Sequence, residues 1–240
     1  MALAVLACAP AVATAPPCRA LVFEGSRFTI CSFDARTQDV RLFRAGRDGA
    51  ALRGFAALEQ ELGSRAARLR FAMNAGMFAP DFRPVGLYVE NGVTLHPVNR
   101  ADGDGNFTLK PNGVFWAGAQ GDVHVETTDA FVAGHRKTVW ATQSGPMLVI
   151  GGVLHPKIAV DGPSRNIRNG VGVRDAGTAY FVISEDVVSF GRMARLFQTQ
   201  LHCADALYFD GTISSIWVPA LKRQDSAYAL GPMVAVFDRK

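Results

Sequence analysis

Turn dipeptides recur along this chain between short runs of strand-forming residues, and that rhythm limits the fold more than any other feature. Glu24-Gly25, Asn91-Gly92 and Asp175-Ala176-Gly177 each separate two apolar runs. Asn-Gly is the strongest of these signals, because both residues accept the left-handed conformations a two-residue hairpin loop needs. Strand-like runs fall at 40–44, 69–73, 85–89, 93–95, 114–116, 123–125, 171–173, 180–183 and 206–209. Thr138 opens another, reaching residue 150 and broken by Gln143-Ser144-Gly145-Pro146, a polar interruption that marks a bulge or lines a cleft. Helical spacing appears at 52–62, where Leu52, Phe55, Leu58 and Leu62 share a face before Gly63, at 127–134, and at 191–200. Strands outnumber helices by roughly three to one, which predicts an α+β fold with a mixed or antiparallel β-sheet core and a few flanking helices.

No internal repeat or low-complexity linker divides the 240 residues, so residues 16–240 read as a single domain. Residues 1–15 are uncharged and rich in Ala, Val and Leu, with Ala11-Val12-Ala13 and Ala13-Thr14-Ala15 as small-residue cleavage sites. That composition reads as a signal peptide and an exported protein, periplasmic or secreted. No other apolar run reaches the roughly 18 residues a membrane span needs. The net charge of +4 is scattered, and His135-Arg136-Lys137 lacks interleaved aromatic residues, so no nucleic-acid partner is expected.

Cys18 and Cys31 flank the first hairpin. With Glu24-Gly25 as its loop, Phe23 pairs with Ser26 and, five steps out, Cys18 pairs with Cys31 in a non-hydrogen-bonded register. A disulfide tolerates the close Cα approach of such a pair, and Cys203 is left as a small buried hydrophobe.

Several chemistries are excluded. No Gly-x-Ser-x-Gly surrounds any serine, and Ser144 sits in Gln-Ser-Gly-Pro instead. The five histidines lack His-x-His or His-x-x-x-His spacing. Asp102-Gly-Asp104-Gly-Asn106 carries Phe107 and Gly113 where a calcium loop requires Gly and Glu. Gly170-Val-Gly172 lies inside a strand rather than before a helix. No metal and no cofactor is therefore expected.

Polar residues instead recur where apolar runs end: Asn74, Asn112, Ser144, Arg168, Glu185 and Asp210. Ends of strands that converge on one edge of a sheet can build a cleft. Asp210-Gly211, followed by Thr212, Ser214 and Ser215, places a carboxylate beside backbone amides and hydroxyls that can direct an anion. The same residues also suit a plain hairpin turn in which Asp caps its own backbone. Lys110 and Arg168 would add positive charge for an anionic substrate.

Six segments occur in a telling order: Phe71-Ala-Met-Asn74-Ala-Gly76-Met-Phe78, Pro84-Val-Gly86-Leu-Tyr, Asn106-Phe-Thr-Leu-Lys110-Pro-Asn112-Gly-Val, Ala141-Thr-Gln-Ser144-Gly-Pro-Met, Arg168-Asn-Gly-Val-Gly172-Val and Leu207-Tyr-Phe-Asp210-Gly211. Together they resemble the phosphodiester glycosidase family, in its compact bacterial exported branch. The resemblance implies hydrolysis of a sugar-1-phosphodiester, of N-acetylglucosamine type, on an exported small-molecule or glycan substrate. The resemblance covers Asp210; together with Glu185, a carboxylate at another strand end, it would supply the catalytic pair, Asp210 as nucleophile or base. Arg168, helped by Lys110, would bind the phosphate bidentately or through a charged hydrogen bond. Asn74, Gly76, Asn112, Ser144, Gly211, Thr212, Ser214 and Ser215 would complete the substrate site. Thr212 and Ile213 stand where the family's loop carries two glycines, which narrows the room for a ligand. A non-catalytic envelope glycan-binding protein, or a hydrolase of a non-sugar phosphodiester, is the alternative.

Overall fold

The computed structural model describes residues 16 to 239, so the signal peptide expected over residues 1–15 lies outside the described residues. Every pairing between named strands is antiparallel, and the α+β expectation holds. Three sheets enclose one core. With strands numbered in chain order, the first runs β1 (Cys18–Phe23), β2 (Ser26–Asp34), β13 (Thr178–Ser184), β12 (Asn169–Asp175), β14 (Asp205–Asp210), β10 (Met147–Ile150), β11 (Val153–Leu154). The second runs β16 (Arg223–Gln224), β15 (Ile216–Val218), β4 (Leu69–Asn74), β17 (Met233–Asp238), β3 (Gln38–Phe43). The third runs β6 (Val93–His96), β5 (Tyr88–Glu90), β9 (Trp140–Ser144), β7 (Gly113–Ala117), β8 (Val123–Thr127).

Alternating side chains explain how each sheet is buried on both faces. On β14, Leu207 and Phe209 enter the core shared by the three sheets, whereas Ala206 and Tyr208 pack outward. Helix α3 (Phe190–Arg195) covers that outer face with Met193 and Ala194. Helix α1 (Phe55–Leu62) covers the second sheet through Phe55, Leu58 and Leu62, and α2 (Thr128–Ala133) covers the third through Phe131. A strand with two dry faces reads as a continuous apolar run rather than an alternating one. Hence 206–209 is legible as a buried strand but silent about which side faces which layer.

Several elements depart from the sequence expectation. The late helix is α-helical only over Phe190–Arg195 and widens into a π turn over Leu196–Gln200, where Thr199 Oγ1 donates to the Arg195 carbonyl at 2.8 Å. A hydroxyl bonded back to the preceding turn competes with regular helix geometry. The polar break at 143–146 is not a bulge: the chain leaves the third sheet at Ser144, passes a cis Gly145–Pro146 bond and enters the first sheet at Met147. Strands β15 and β17 were not anticipated, although β17 lies between β4 and β3 with Val234 and Val236 in the core.

The first hairpin forms in the expected register, with Phe23 opposite Ser26 and Cys18 disulfide-bonded to Cys31 at a Cα separation of 4.0 Å. The bond closes a loop of sequence separation 13. A loop near that length restricts the unfolded chain by about 3 kcal/mol. Replacing both cysteines by Ala is expected to lower unfolding stability by about that amount, read as a shifted denaturant midpoint. An unchanged midpoint would show that the bridge contributes nothing.

Candidate active site

One end of the core brings together the last residues of β4, β9 and β14 and the first residue of β12. Asn74 and Asn169 form a reciprocal amide pair: Asn169 Nδ2 donates to Asn74 Oδ1 and to the Asn74 carbonyl at 2.9 Å each, and Asn74 Nδ2 reaches Asn169 Oδ1 at 3.4 Å. The pair extends outward. The Asp210 amide donates to Asn169 Oδ1 at 3.1 Å, and the Ser215 amide donates to Asn74 Oδ1 at 2.8 Å. Both asparagines are buried, so every polar atom needs such a partner. Ser144 Oγ donates to the Phe209 carbonyl at 3.0 Å, and Ser214 Oγ to the Ile167 and Asp210 carbonyls at 3.0 Å each. These bonds tie the strand ends into one rigid floor.

The 210–215 segment is the crossing from the first sheet to the second, since β15 pairs with β4 rather than with β14. It is therefore no hairpin. Asp210 Oδ1 accepts three successive amides, from Gly211 at 2.6 Å, Thr212 at 2.8 Å and Ile213 at 3.3 Å. One carboxylate oxygen is fixed by this ring of donors, and Oδ2 is left for other work.

Behind the turn lies Arg168, which is fully buried. Its Nε donates to the Val188 carbonyl at 2.9 Å, and Nη2 donates to the Ser164 carbonyl at 3.1 Å and to Ser164 Oγ at 3.0 Å. Nη1 is buried and has no hydrogen-bond partner. Burial lowers the Arg168 pKa, with Tyr208 and Asp210 acting in the opposite direction. The guanidinium from β12 and the carboxylate from β14 thus lie within electrostatic reach of one another. With Nε held by a backbone carbonyl and Nη2 by the Ser164 carbonyl and hydroxyl, Arg168 has only its Nη1 amino group left to offer, which suits a charged hydrogen bond and not a two-nitrogen clamp.

The remaining expected residues divide between framework and surface. Asn112 is buried, donating to the Phe107 carbonyl at 2.8 Å and accepting from Thr128 Oγ1 at 2.8 Å. A Cβ on Gly76 would collide with Thr142 Oγ1 and sit 2.5 Å from the Gln143 carbonyl, so this glycine permits close packing against β9. Thr212 is exposed on the crest of the Asp210 turn. Two expectations are corrected. Lys110 Nζ is held by Asp102 at 2.6 Å and by the Arg100 carbonyl at 2.9 Å, with no contact to Asp210 or Arg168. Glu185 is ion-paired with Arg223 at 2.5 Å and accepts from Thr29 Oγ1 at 2.6 Å, so it does not stand free as a second carboxylate. Lys110→Ala is accordingly expected to change kcat/KM by less than about twofold, the scale of a solvated surface pair. A larger loss would return Lys110 to the site.

Sequence reasoning overlooked Asn169, Tyr208 and Phe190. Asn169 follows Arg168 and begins a strand with a buried polar residue, which was a usable signal. Tyr208 carried none, because it sits in an apolar run, and Phe190, between Ser189 and Gly191 at the start of a helix, reads only as a helix-flanking hydrophobe. Among the described residues, no group of three or more His, Cys, Asp or Glu is placed to hold a metal ion. No helix of the described residues is long and apolar enough to cross a membrane.

A family model described as phosphodiester glycosidase matches residues 67–236. The protein YigE of Escherichia coli (strain K12), described as uncharacterized, is 36% identical over 183 residues, covering 76% of this chain and 71% of that one. Among solved structures, the fold is similar to the zebrafish N-acetylglucosamine-1-phosphodiester alpha-N-acetylglucosaminidase catalytic domain auto-inhibited by its pro-peptide. The TM-score is 0.61 at 14% identity, with 92% of this chain and 82% of that chain covered. A putative exported protein from Burkholderia pseudomallei K96243 gives a TM-score of 0.58 at 12% identity, covering 90% and 74%. At such identities the structural likeness speaks for the fold.

Proposed function

The chain belongs to the phosphodiester glycosidase family, and on that premise we propose that it is an exported hydrolase that cleaves the bond between a sugar's anomeric carbon and a phosphodiester oxygen. The observation that carries this reading is the pairing of Asp210, one oxygen locked by three amides, with a buried Arg168 whose Nη1 has no partner. A buried cation with an unfilled donor is costly unless an anion completes it. A substrate phosphate is such an anion.

In the reaction the C1–O bond breaks and its electron pair leaves with the phosphate monoester. Water supplies the new C1–O bond. In the inverting course its proton passes to Asp210 and then to solvent; in the retaining course Asp210 is esterified first, and the proton of the water that cleaves the ester passes directly to solvent. Phosphate is a good leaving group and needs little protonation, so one carboxylate suffices. That agrees with Glu185 being tied to Arg223. Asp210 Oδ2 supports the oxocarbenium-like carbon, as nucleophile if the anomeric configuration is retained and as base for water if it is inverted. Arg168 Nη1 meets charge growing on the phosphate, and the rigid asparagine floor keeps the two groups at fixed separation. The Cys18–Cys31 bridge supports an oxidising compartment, and the substrate class is an exported glycan or small molecule bearing a phosphodiester.

The test is incubation of the purified protein with N-acetylglucosamine-1-phosphate diesters and a nucleoside-diphosphate sugar, with and without chelator. Free reducing sugar is expected, unaffected by chelator. A panel yielding bound ligand but no reducing sugar would overturn hydrolysis in favour of glycan binding.

A further inference from the structure

A second cleft, of about 580 Å³, lies at the end of the sheets opposite the Asp210 turn. On β9, Ser144 pairs with Gly113 beside the asparagine floor, whereas Trp140 pairs with Ala117 at the cleft. That length of strand puts about 13 Å between the two levels. The free edge of β3 forms one wall, and the turn after β7 with the start of β9 forms the other. The edge carries unpaired groups. The Arg239 amide donates to the Thr37 carbonyl at 2.9 Å, and Phe237 stands opposite Asp39. Hydrogen-bonded positions alternate in an antiparallel pair, so the N–H and C=O of Val40 point away from β17. The Val40 side chain is in the core, and its main chain lines the cleft. Arg239 Nε donates to Asp39 Oδ1 at 2.9 Å and to the Gln38 carbonyl at 3.1 Å. Arg41, half-buried on the same wall, has no hydrogen bond or ion pair among the described residues. The cleft therefore holds a cation that no carboxylate meets.

We propose that this cleft is a binding site for an acidic saccharide, with a carboxylate on Arg41 and a sugar ring against Trp140. The planar guanidinium fork matches the two coplanar oxygens of a carboxylate. Trp140, the one aromatic ring in the lining, packs on the core with part of its surface and is otherwise open. A sugar ring has an apolar C–H face that suits an indole, and a rim of hydroxyls that needs donors and acceptors. Asn91, Gln120 and the Val40 main chain supply both. An apolar acid would strip water from those amides without replacing it. A neutral sugar would leave Arg41 without its counter-charge. The cleft has the volume of a small-ligand site. None of its residues belongs to the Asp210 site, so the proposal does not depend on the hydrolase reading. It adds an anchor for an acidic glycan at one end of the molecule while the Asp210 end stays free.

The test is a proton–nitrogen correlation NMR titration of the full chain that follows the Trp140 indole N–H, assigned by its loss in Trp140→Phe. The probes are glucuronate, glucose and acetate. Glucuronate is expected to shift that signal and to bind about tenfold tighter than either of the others, the scale of one hydrogen bond to a charged group. Arg41→Gln should weaken glucuronate to the affinity of glucose at an unchanged thermal midpoint, because Arg41 has no partner to lose. Asp210→Asn should bind glucuronate like the parent. An unmoved Trp140 signal, equal affinity for glucuronate and glucose, or acetate bound as tightly as glucuronate would each overturn the proposal. So would an Arg41→Gln protein that binds like the parent, or loss of glucuronate binding in Asp210→Asn. Binding is read without turnover, so absence of reducing sugar would sink only the hydrolase reading.

Discussion

Asp210→Asn is expected to leave the fold intact and to lower turnover by about a thousandfold or more. The substitution is clean because of how the carboxylate is held. Oδ1 accepts from Gly211, Thr212 and Ile213, and an asparagine carbonyl can accept the same three amides. The turn keeps its donors satisfied, and the Asp210 amide keeps its bond to Asn169. What disappears is the charge on Oδ2, which the reaction uses either to attack the anomeric carbon or to take a proton from water. Reducing-sugar release under single-turnover conditions, beside a thermal melt, separates the two effects. Turnover within tenfold of the parent would remove Asp210 as the reacting carboxylate.

Arg168→Lys should be nearly as damaging, and for two reasons that can be read separately. The guanidinium spans the Val188 carbonyl and both oxygens of Ser164 while lying flat on Phe190. An ammonium keeps the charge but cannot reach those acceptors together, nor stack as a plane. Leaving buried acceptors unpaired costs about 1–3 kcal/mol each, so a loss of about 2–4 kcal/mol in unfolding stability is expected. With the Nη1 donor gone, kcat/KM should fall by about a hundredfold. Denaturant titration reads the first effect and kinetics the second. A lysine variant with parental kcat/KM would show that the guanidinium plane is not needed.

Much of the fold was legible in local chemistry. Asn91-Gly92 and Glu24-Gly25 fix φ > 0 at their turns (Asn91 51°, Gly92 78°, Glu24 46°, Gly25 75°), so hairpins could be drawn from dipeptides alone. The disulfide followed from counting residues out from one such turn. Gln143-Ser144-Gly145-Pro146 was visible as a break, but not as a passage between sheets, because a break looks the same whichever sheet the next strand joins. Lys110 and Glu185 were drawn toward the site by charge, and each was captured by a nearer partner, Asp102 and Arg223. Tyr208 went unnoticed because a tyrosine in an apolar run signals burial and says nothing of where its hydroxyl points.

The sequence by itself determined the strand-rich class, the hairpins, the bridge between Cys18 and Cys31, and the polar residues that cap the apolar runs. These rest on interactions between residues close along the chain, where backbone geometry leaves few choices. Tertiary structure alone decided that Asn74 would meet Asn169 across 95 residues, and that Arg168 would lie behind the Asp210 turn with one donor unfilled. Such meetings depend on which sheet each strand joins. That choice is made by packing two dry faces at once, and no local pattern records it.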